Sequence, residues 1–219
     1  MIYIFVKEPK QSKYLHRLWQ LWLPNYMRII FCPVKIKGLE HFKENENYVI
    51  VANHNSFIDV PVSSSGIPYI TRTLAKQELN NIPIFGIVYR AGSILVDRNN
   101  RRSKAESFIK MVEVLKKGWH ICLYPEGTRN NSSKPLNEFH DGAFQLAIKT
   151  QKEIMPALIF GTKNILHPTK KFYALPHKIE FHFLAPISCK EITMEDVKNF
   201  NAEVKQQMEN YYLQHAHLI

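Results

Sequence analysis

Apolar positions follow two rhythms along this chain. Tyr48-Val49-Ile50-Val51-Ala52 and Trp119-His120-Ile121-Cys122-Leu123-Tyr124 are short, continuous and rich in β-branched or aromatic side chains, which predicts buried strands. Ser93-Ile94-Leu95-Val96 and residues 154–160 predict two more, and residues 178–184 alternate with period two as a later strand. Between them the period changes to that of a helix. Ser103-Lys104-Ala105-Glu106 has the form of a capping box, Phe108, Ile109, Val112 and Leu115 share the face that follows, and Lys116-Lys117-Gly118 is a stop. Residues 142–148 predict a helix leading into the strand at 154–160. Thr193 and Asp196 open a final helix whose stripe, Val197, Phe200, Val204, Met208 and Tyr211, is core material. The alternation predicts an α/β class: a single domain with a largely parallel or mixed sheet flanked by helices.

The first 34 residues differ. Leu15, Leu18, Trp19 and Trp22 recur at i, i+3, i+4 and i+7, with Lys13, Arg17 and Gln20 on other faces, as on an amphipathic helix. Pro24 is expected to interrupt it, and Tyr26, Ile29 and Ile30 resume the pattern before Pro33. No apolar stretch reaches the roughly 18 residues of a spanning helix, and Met1 to Lys10 lacks a signal peptide's pattern. We therefore divide the chain into residues 1–34, an amphipathic segment for membrane association, and residues 35–219, the catalytic domain. The competing reading is that these aromatic residues pack on the protein's own core.

Composition narrows the partners. A net charge of +10 suits nucleic acid, anionic lipid or an acidic carrier protein. No aromatic-basic motif of the usual RNA or DNA folds is present, so a nucleic-acid module is set aside. Lys7, Lys10, Lys13, Arg17 and Arg28 lie around the amphipathic segment, where each cation contributes about 1 kcal/mol toward anionic lipid. The expected location is peripheral or monotopic, on the cytoplasmic face of a membrane. Cys32, Cys122 and Cys189 are too few and too far apart for a disulfide framework or a metal site, so no metal is expected.

The chemistry lies at strand ends. His54 and Asp59, in Asn53-His54-Asn55-Ser56-Phe57-Ile58-Asp59, follow the first strand. Five residues of regular helix would turn them about 140° apart, so they meet only across a turn. Such a pair gives an imidazole with one nitrogen held by the carboxylate and the other free to accept a proton. Ser56 is a candidate nucleophile, but so close to His54 it suits a loop cap better. Glu126-Gly127-Thr128-Arg129 follows the strand at 119–124, where Pro125 ends the strand, Gly127 permits a sharp turn and Arg129 can grip a phosphate bidentately. Glu126 is read either as a charge partner of Arg129 or as an orienter of Arg129 or substrate. Phe85-Gly86-Ile87-Val88-Tyr89-Arg90-Ala91-Gly92 forms a third cluster leading to Arg98, which ends the strand at 93–96 and can also face an anion; Arg101 and Arg102 are a solvated face. Asn130 to Pro135 is a polar loop expected to move near the site, with His140 and Asp141 as its polar neighbours.

At these residues the chain resembles the glycerophospholipid acyltransferases, the family typified by 1-acyl-sn-glycerol-3-phosphate acyltransferases. The resemblance covers about residues 36 to 185 in four blocks: Asn53-His54-x4-Asp59, Gly92 to Arg98, Glu126-Gly127-Thr128-Arg129 and Ile154-Met155-Pro156-Ala157-Leu158. It implies acyl transfer from a thioester, acyl-CoA or acyl carrier protein, to the sn-2 hydroxyl of 1-acyl-sn-glycerol 3-phosphate, giving phosphatidate without a covalent acyl-enzyme or bound cofactor. His54 would be the general base and Asp59 its orienter. Arg129, Arg98 and Lys76 would hold the phosphate, with Glu126, Gly127 and Thr128 shaping the site. Glycerol 3-phosphate, another lysophospholipid or a hydroxylated lipid would need the same base and stay open as acceptors.

Overall fold

The computed structural model describes residues 8–81, 90, 92–166 and 175–218. Seven strands form one sheet: β1 (Val34–Lys37), β2 (Val49–Ala52), β3 (Thr71–Lys76), β4 (Ser93–Val96), β5 (His120–Leu123), β6 (Ile154–Phe160) and β7 (Ile179–Phe183), in the order β1-β7-β6-β2-β5-β3-β4. β6, β2, β5, β3 and β4 are mutually parallel; β7 runs antiparallel to β6 and carries β1 parallel to itself. The sheet is thus mixed. Five strands share one carboxyl edge, and β1 and β7 point the other way.

Side-chain alternation divides the core between two faces. Val49, Val51, Ile121, Leu123, Ile154, Leu158 and Phe160 face α3 (Arg101–Lys116), α4 (Gly142–Thr150) and α6 (Val197–Gln214). Ile50, Ala52, Cys122, Met155, Ala157, Ile159 and Phe181 face α1 (Lys10–Ile29), α2 (Asp59–Gly66) and the short α5 (Thr162–Ile165). Because β2, β5 and β6 are covered on both sides, their sequences are continuous apolar runs rather than alternating ones. The stripe of the last helix is core, as its spacing predicts, with Val197, Phe200, Val204 and Met208 buried.

Three details depart from the sequence reading. Ser103 is not the cap of α3: Asn100, in extended conformation, accepts from the N–H groups of Arg102 and Ser103, and the Ser103 hydroxyl accepts from Asp97 N–H instead. β1 and β3 carry no strand signal, because Val34-Lys35-Ile36-Lys37 is short and half polar and Thr71-Arg72-Thr73-Leu74-Ala75-Lys76 has too few large apolar residues; their membership comes from ladders, of β1 to β7 and of β3 to β4 and β5. α1 runs unbroken through Pro24. Asn25 Nδ2 donates to Leu21 O at 2.7 Å, and Leu23 and Met27, on either side of the proline, are buried and seat the helix on the core.

The aromatic face of α1 is divided rather than pointing one way. Leu23 and Met27 are buried, and Leu15 and Trp19 line a cavity of about 470 Å³ against Ile58, Val60, Pro61 and Ile70. Tyr14, Leu18, Leu21, Trp22, Tyr26 and Ile29 remain exposed. Polar clasps seat the inner side: His16 Nε2 on Pro68 O (3.1 Å), Gln20 Nε2 on the same carbonyl (3.1 Å), and Arg72 on Glu8 and Ser12. No helix among the described residues is long and apolar enough to cross a membrane.

Candidate active site

The carboxyl edge of the five parallel strands gathers the candidate residues, at the position where open α/β sheets bind ligands. Asn53 extends β2 by side-chain mimicry: its Nδ2 donates to Ile159 O (3.0 Å) and its Oδ1 accepts from Ile159 N (2.7 Å). The chain then leaves the sheet at His54 and re-enters helix at Asp59, the first residue of α2. This loop brings the His54 ring and Asp59 carboxylate together, which neither a continuous strand nor a continuous helix would do.

Asp59 is fully buried, yet saturated with donors. Its Oδ2 accepts from Asn55 N (2.6 Å), Ser56 N (2.7 Å) and His54 Nδ1 (2.8 Å), and its Oδ1 from the Thr162 hydroxyl (2.6 Å). Two backbone N–H groups on Oδ2 make that oxygen an acceptor, so the hydrogen between it and His54 belongs to Nδ1. The neutral ring therefore carries its acceptor lone pair on Nε2. The ring stacks on Tyr124 at 4.3 Å between centroids, and Tyr124 is itself bonded through its hydroxyl to Ser63 (2.8 Å). His54 is thus oriented by hydrogen bond and by stacking while 17% of its side-chain surface stays open.

Glu126 is not a charge partner of Arg129. Its Oε1 accepts from His54 N (2.7 Å) and its Oε2 from Asn137 N (2.9 Å), so it bonds two loops rather than pairing with Arg129. Burial raises its pKa above the usual carboxylate range, and the two N–H donors oppose that shift. Gly127 turns with φ of +69°, and an added Cβ would come within 2.8 Å of the His140 ring. Arg98, reaching over from the end of β4, donates to Gly127 O; burial lowers its pKa, against the field of Glu78. Arg129 lies 3.8 Å from the centroid of the Phe57 ring, between His54 and Asp59 in sequence, while Thr128 is exposed. Lys76 ends β3 beside Val96, two residues before Arg98, and is exposed. Among the described residues neither Lys76 nor Arg129 forms an ion pair.

Ser56 is a structural residue. It is fully buried and its hydroxyl donates to Leu166 O at 2.8 Å. The 130–135 loop is organised around Asn130, whose backbone donates to His54 O (2.6 Å) and whose side chain bonds Lys134 O, Pro135 O and Ser132 N. Arg102 pairs with Glu106 on the solvent side of α3. The sequence cluster at 85–92 lies largely outside the described residues. Reasoning from sequence passed over Thr162 and Tyr124, which touch the pair; the available signal was their position at the ends of β6 and β5, the same edge as His54. Among the described residues no group of acidic, histidine or cysteine side chains is arranged to hold a metal.

Comparisons with known proteins show the family. The family model described as Acyltransferase matches residues 33–160. The 1-acyl-sn-glycerol-3-phosphate acyltransferase of Borreliella burgdorferi is 32% identical over 147 residues, 66% of this chain and 55% of that protein. The mouse protein 1-acyl-sn-glycerol-3-phosphate acyltransferase alpha is 29% identical over 178 residues, 80% of this chain and 62% of its own length. The chain thus spans between half and two thirds of each. In fold it is similar to the crystal structure of the 1-acyl-sn-glycerophosphate (LPA) acyltransferase, PlsC, from Thermotoga maritima, with a TM-score of 0.81, 23% identity, and coverage of 97% of this chain and 84% of that one. A match spanning more than half of the chain, and containing the His54–Asp59 pair and the Glu126–Arg129 turn, means that this protein belongs to the Acyltransferase family.

Proposed function

We propose that this protein transfers a fatty acyl group from a thioester to the sn-2 hydroxyl of 1-acyl-sn-glycerol 3-phosphate. The observation that carries this reading is the 2.8 Å bond between His54 Nδ1 and Asp59 at the same sheet edge as Arg98 and Arg129. His54 Nε2 takes the hydroxyl proton as the acceptor oxygen attacks the thioester carbonyl. The tetrahedral oxyanion collapses, the C–S bond breaks, and the departing thiolate takes the proton from the imidazolium. Asp59 stabilises the imidazolium between these steps. Base catalysis of this kind supplies about 10²–10⁴-fold, and positioning and oxyanion stabilisation supply much of the rest. A two-step path through Ser56 is disfavoured, because its hydroxyl is buried and engaged with Leu166.

Arg129 and Arg98, with Lys76 at the rim, supply the positive charge that a phosphate monoester needs. Phe57 steadies Arg129 from below without neutralising it. The apolar cavity under α1 reaches Ile58 and Val60 on either side of Asp59, so a fatty chain has an apolar place beside the base. Exposed Leu18, Leu21, Trp22 and Ile29 on α1 suit the boundary of a lipid bilayer, from which both acceptor and product would pass. Peripheral attachment at the cytoplasmic face, with acyl-CoA or acyl carrier protein as donor, completes the proposal. Glycerol 3-phosphate is the second acceptor to test, since it carries the same phosphate.

The test is mass-spectrometric detection of phosphatidate from purified protein given lysophosphatidate, with the two thioesters supplied separately. Product is expected with at least one donor, none with His54→Ala, and a raised KM for the acceptor with Arg129→Ala. Near-normal turnover by His54→Ala would remove the mechanism.

A further inference from the structure

Of the four donors that meet the Asp59 carboxylate, three belong to its own loop: His54 Nδ1, Asn55 N and Ser56 N. They move whenever that loop moves. The fourth, the Thr162 hydroxyl, comes from another element, at the carboxyl end of β6, and bonds Oδ1 at 2.6 Å. We propose that Thr162 is a positioning residue of the dyad: it fixes the Asp59 carboxylate to the sheet, so that Oδ2 stays directed at His54 Nδ1. This assignment rests on the general-base reading of His54.

The surrounding geometry serves that contact. Asn53 forms two bonds with Ile159, and Ser56 donates to Leu166 O, so the 53–59 loop is joined to the 159–166 segment on both sides of the Asp59–Thr162 contact. Gly161 precedes Thr162 with φ of +86°, and a Cβ there would run into the Lys178 carbonyl, so the turn that aims Thr162 at Asp59 requires glycine. Thr162 is fully buried, which excludes water as a substitute donor to Oδ1. Without the hydroxyl, Oδ1 would be a buried acceptor with no partner, and the carboxylate could turn about its own bond to seek one. Any such rotation draws Oδ2 away from Nδ1 and from the two N–H groups that share it.

Thr162→Val keeps the shape and deletes the donor; Thr162→Ser keeps the donor and deletes a methyl. With whichever thioester and acceptor the wild-type protein turns over, Thr162→Val is expected to lower kcat about 10- to 100-fold, by analogy with the loss caused by removing the carboxylate or hydroxyl behind a metal-ligating histidine. KM for both substrates should change less than about twofold, and Thr162→Ser should stay within about threefold of wild type. A second readout is independent of turnover: in protein labelled with nitrogen-15 histidine, the low-field Nδ1 proton signal of His54 should survive in Thr162→Ser and be lost in Thr162→Val. If Thr162→Val fails to fold, Thr162→Ala takes its place in both measurements. Unchanged kcat and an unchanged His54 signal in the donorless variant would overturn the proposal, as would a Thr162→Ser protein as impaired as the valine one. Full turnover by His54→Ala would refute the general-base reading instead, and the histidine signal would still decide whether Thr162 holds the pair.

Discussion

Replacing Glu126 by Gln isolates a carboxylate whose work is to join two loops. The ionised side chain accepts from His54 N through one oxygen and from Asn137 N through the other, at 2.7 and 2.9 Å. A glutamine has one acceptor oxygen, so whichever N–H it serves, its own NH₂ confronts the other, donor against donor. Glu126 itself is buried, at 3% exposure, so the displaced NH₂ meets that donor away from bulk water. A buried unsatisfied donor costs about 1–3 kcal/mol, and removing a buried charge returns part of that, leaving a net loss of about 1–2 kcal/mol. At roughly 2–4 °C per kcal/mol for a chain of this size, the thermal midpoint should fall by about 2–8 °C. Turnover should fall further than stability, because the displaced group is the backbone of His54. Glu126→Asp should resemble Glu126→Gln, since the shorter arm cannot span both loops. The pH dependence has a definite sign: burial raises the folded pKa of Glu126, so wild type loses stability as pH rises through that raised value, a loss that Glu126→Gln, which does not titrate, should lack. Thermal unfolding by circular dichroism and initial rates below the transition make the comparison. Glu126→Gln with wild-type midpoint and turnover would show that these two bonds do not hold His54.

Three further outcomes are expected. His120 is buried, accepts Tyr48 N–H on Nδ1 (3.0 Å), and has its pKa pushed from 6.5 to about 4 by burial and then by His16. Its contribution is fully present above pH 6.5 and is lost as pH falls toward 4, about 3 kcal/mol in all; urea midpoints at pH 7 and pH 5 should converge in His120→Gln, and an unchanged slope would refute this. Gly127→Ala places a methyl against the His140 ring in a backbone region that disfavours side chains, so stability should fall by about 1–2 kcal/mol. His140→Ala should relieve the steric part in a double-mutant cycle, and strict additivity would refute the clash. On α1, Leu18→Glu with Leu21→Glu removes two exposed apolar side chains, so co-sedimentation with anionic vesicles should weaken at least tenfold while folding stability stays within about 0.5 kcal/mol. Vesicle binding equal to wild type would remove α1 as the contact surface.

The sequence by itself determined the α/β class, because strands covered on both faces must be written as continuous apolar runs, as Val49 to Ala52 and Ile154 to Phe160 are. It also determined that His54, Arg98 and Glu126 to Arg129 each follow a strand, which puts them on one edge once those strands are parallel. Tertiary structure decided the rest. Local signals at Ser103 and Pro24 were overruled by the cap at Asn100 and by burial of α1 at Leu23 and Met27. β3 exists only through its two neighbours. No spacing reports that Glu126 serves backbone N–H groups 72 and 11 residues away, or that Thr162 meets Asp59 across 103 residues. A motif records which groups a site contains; which atom each group satisfies depends on what a distant strand end brings within 3 Å, and only packing determines that.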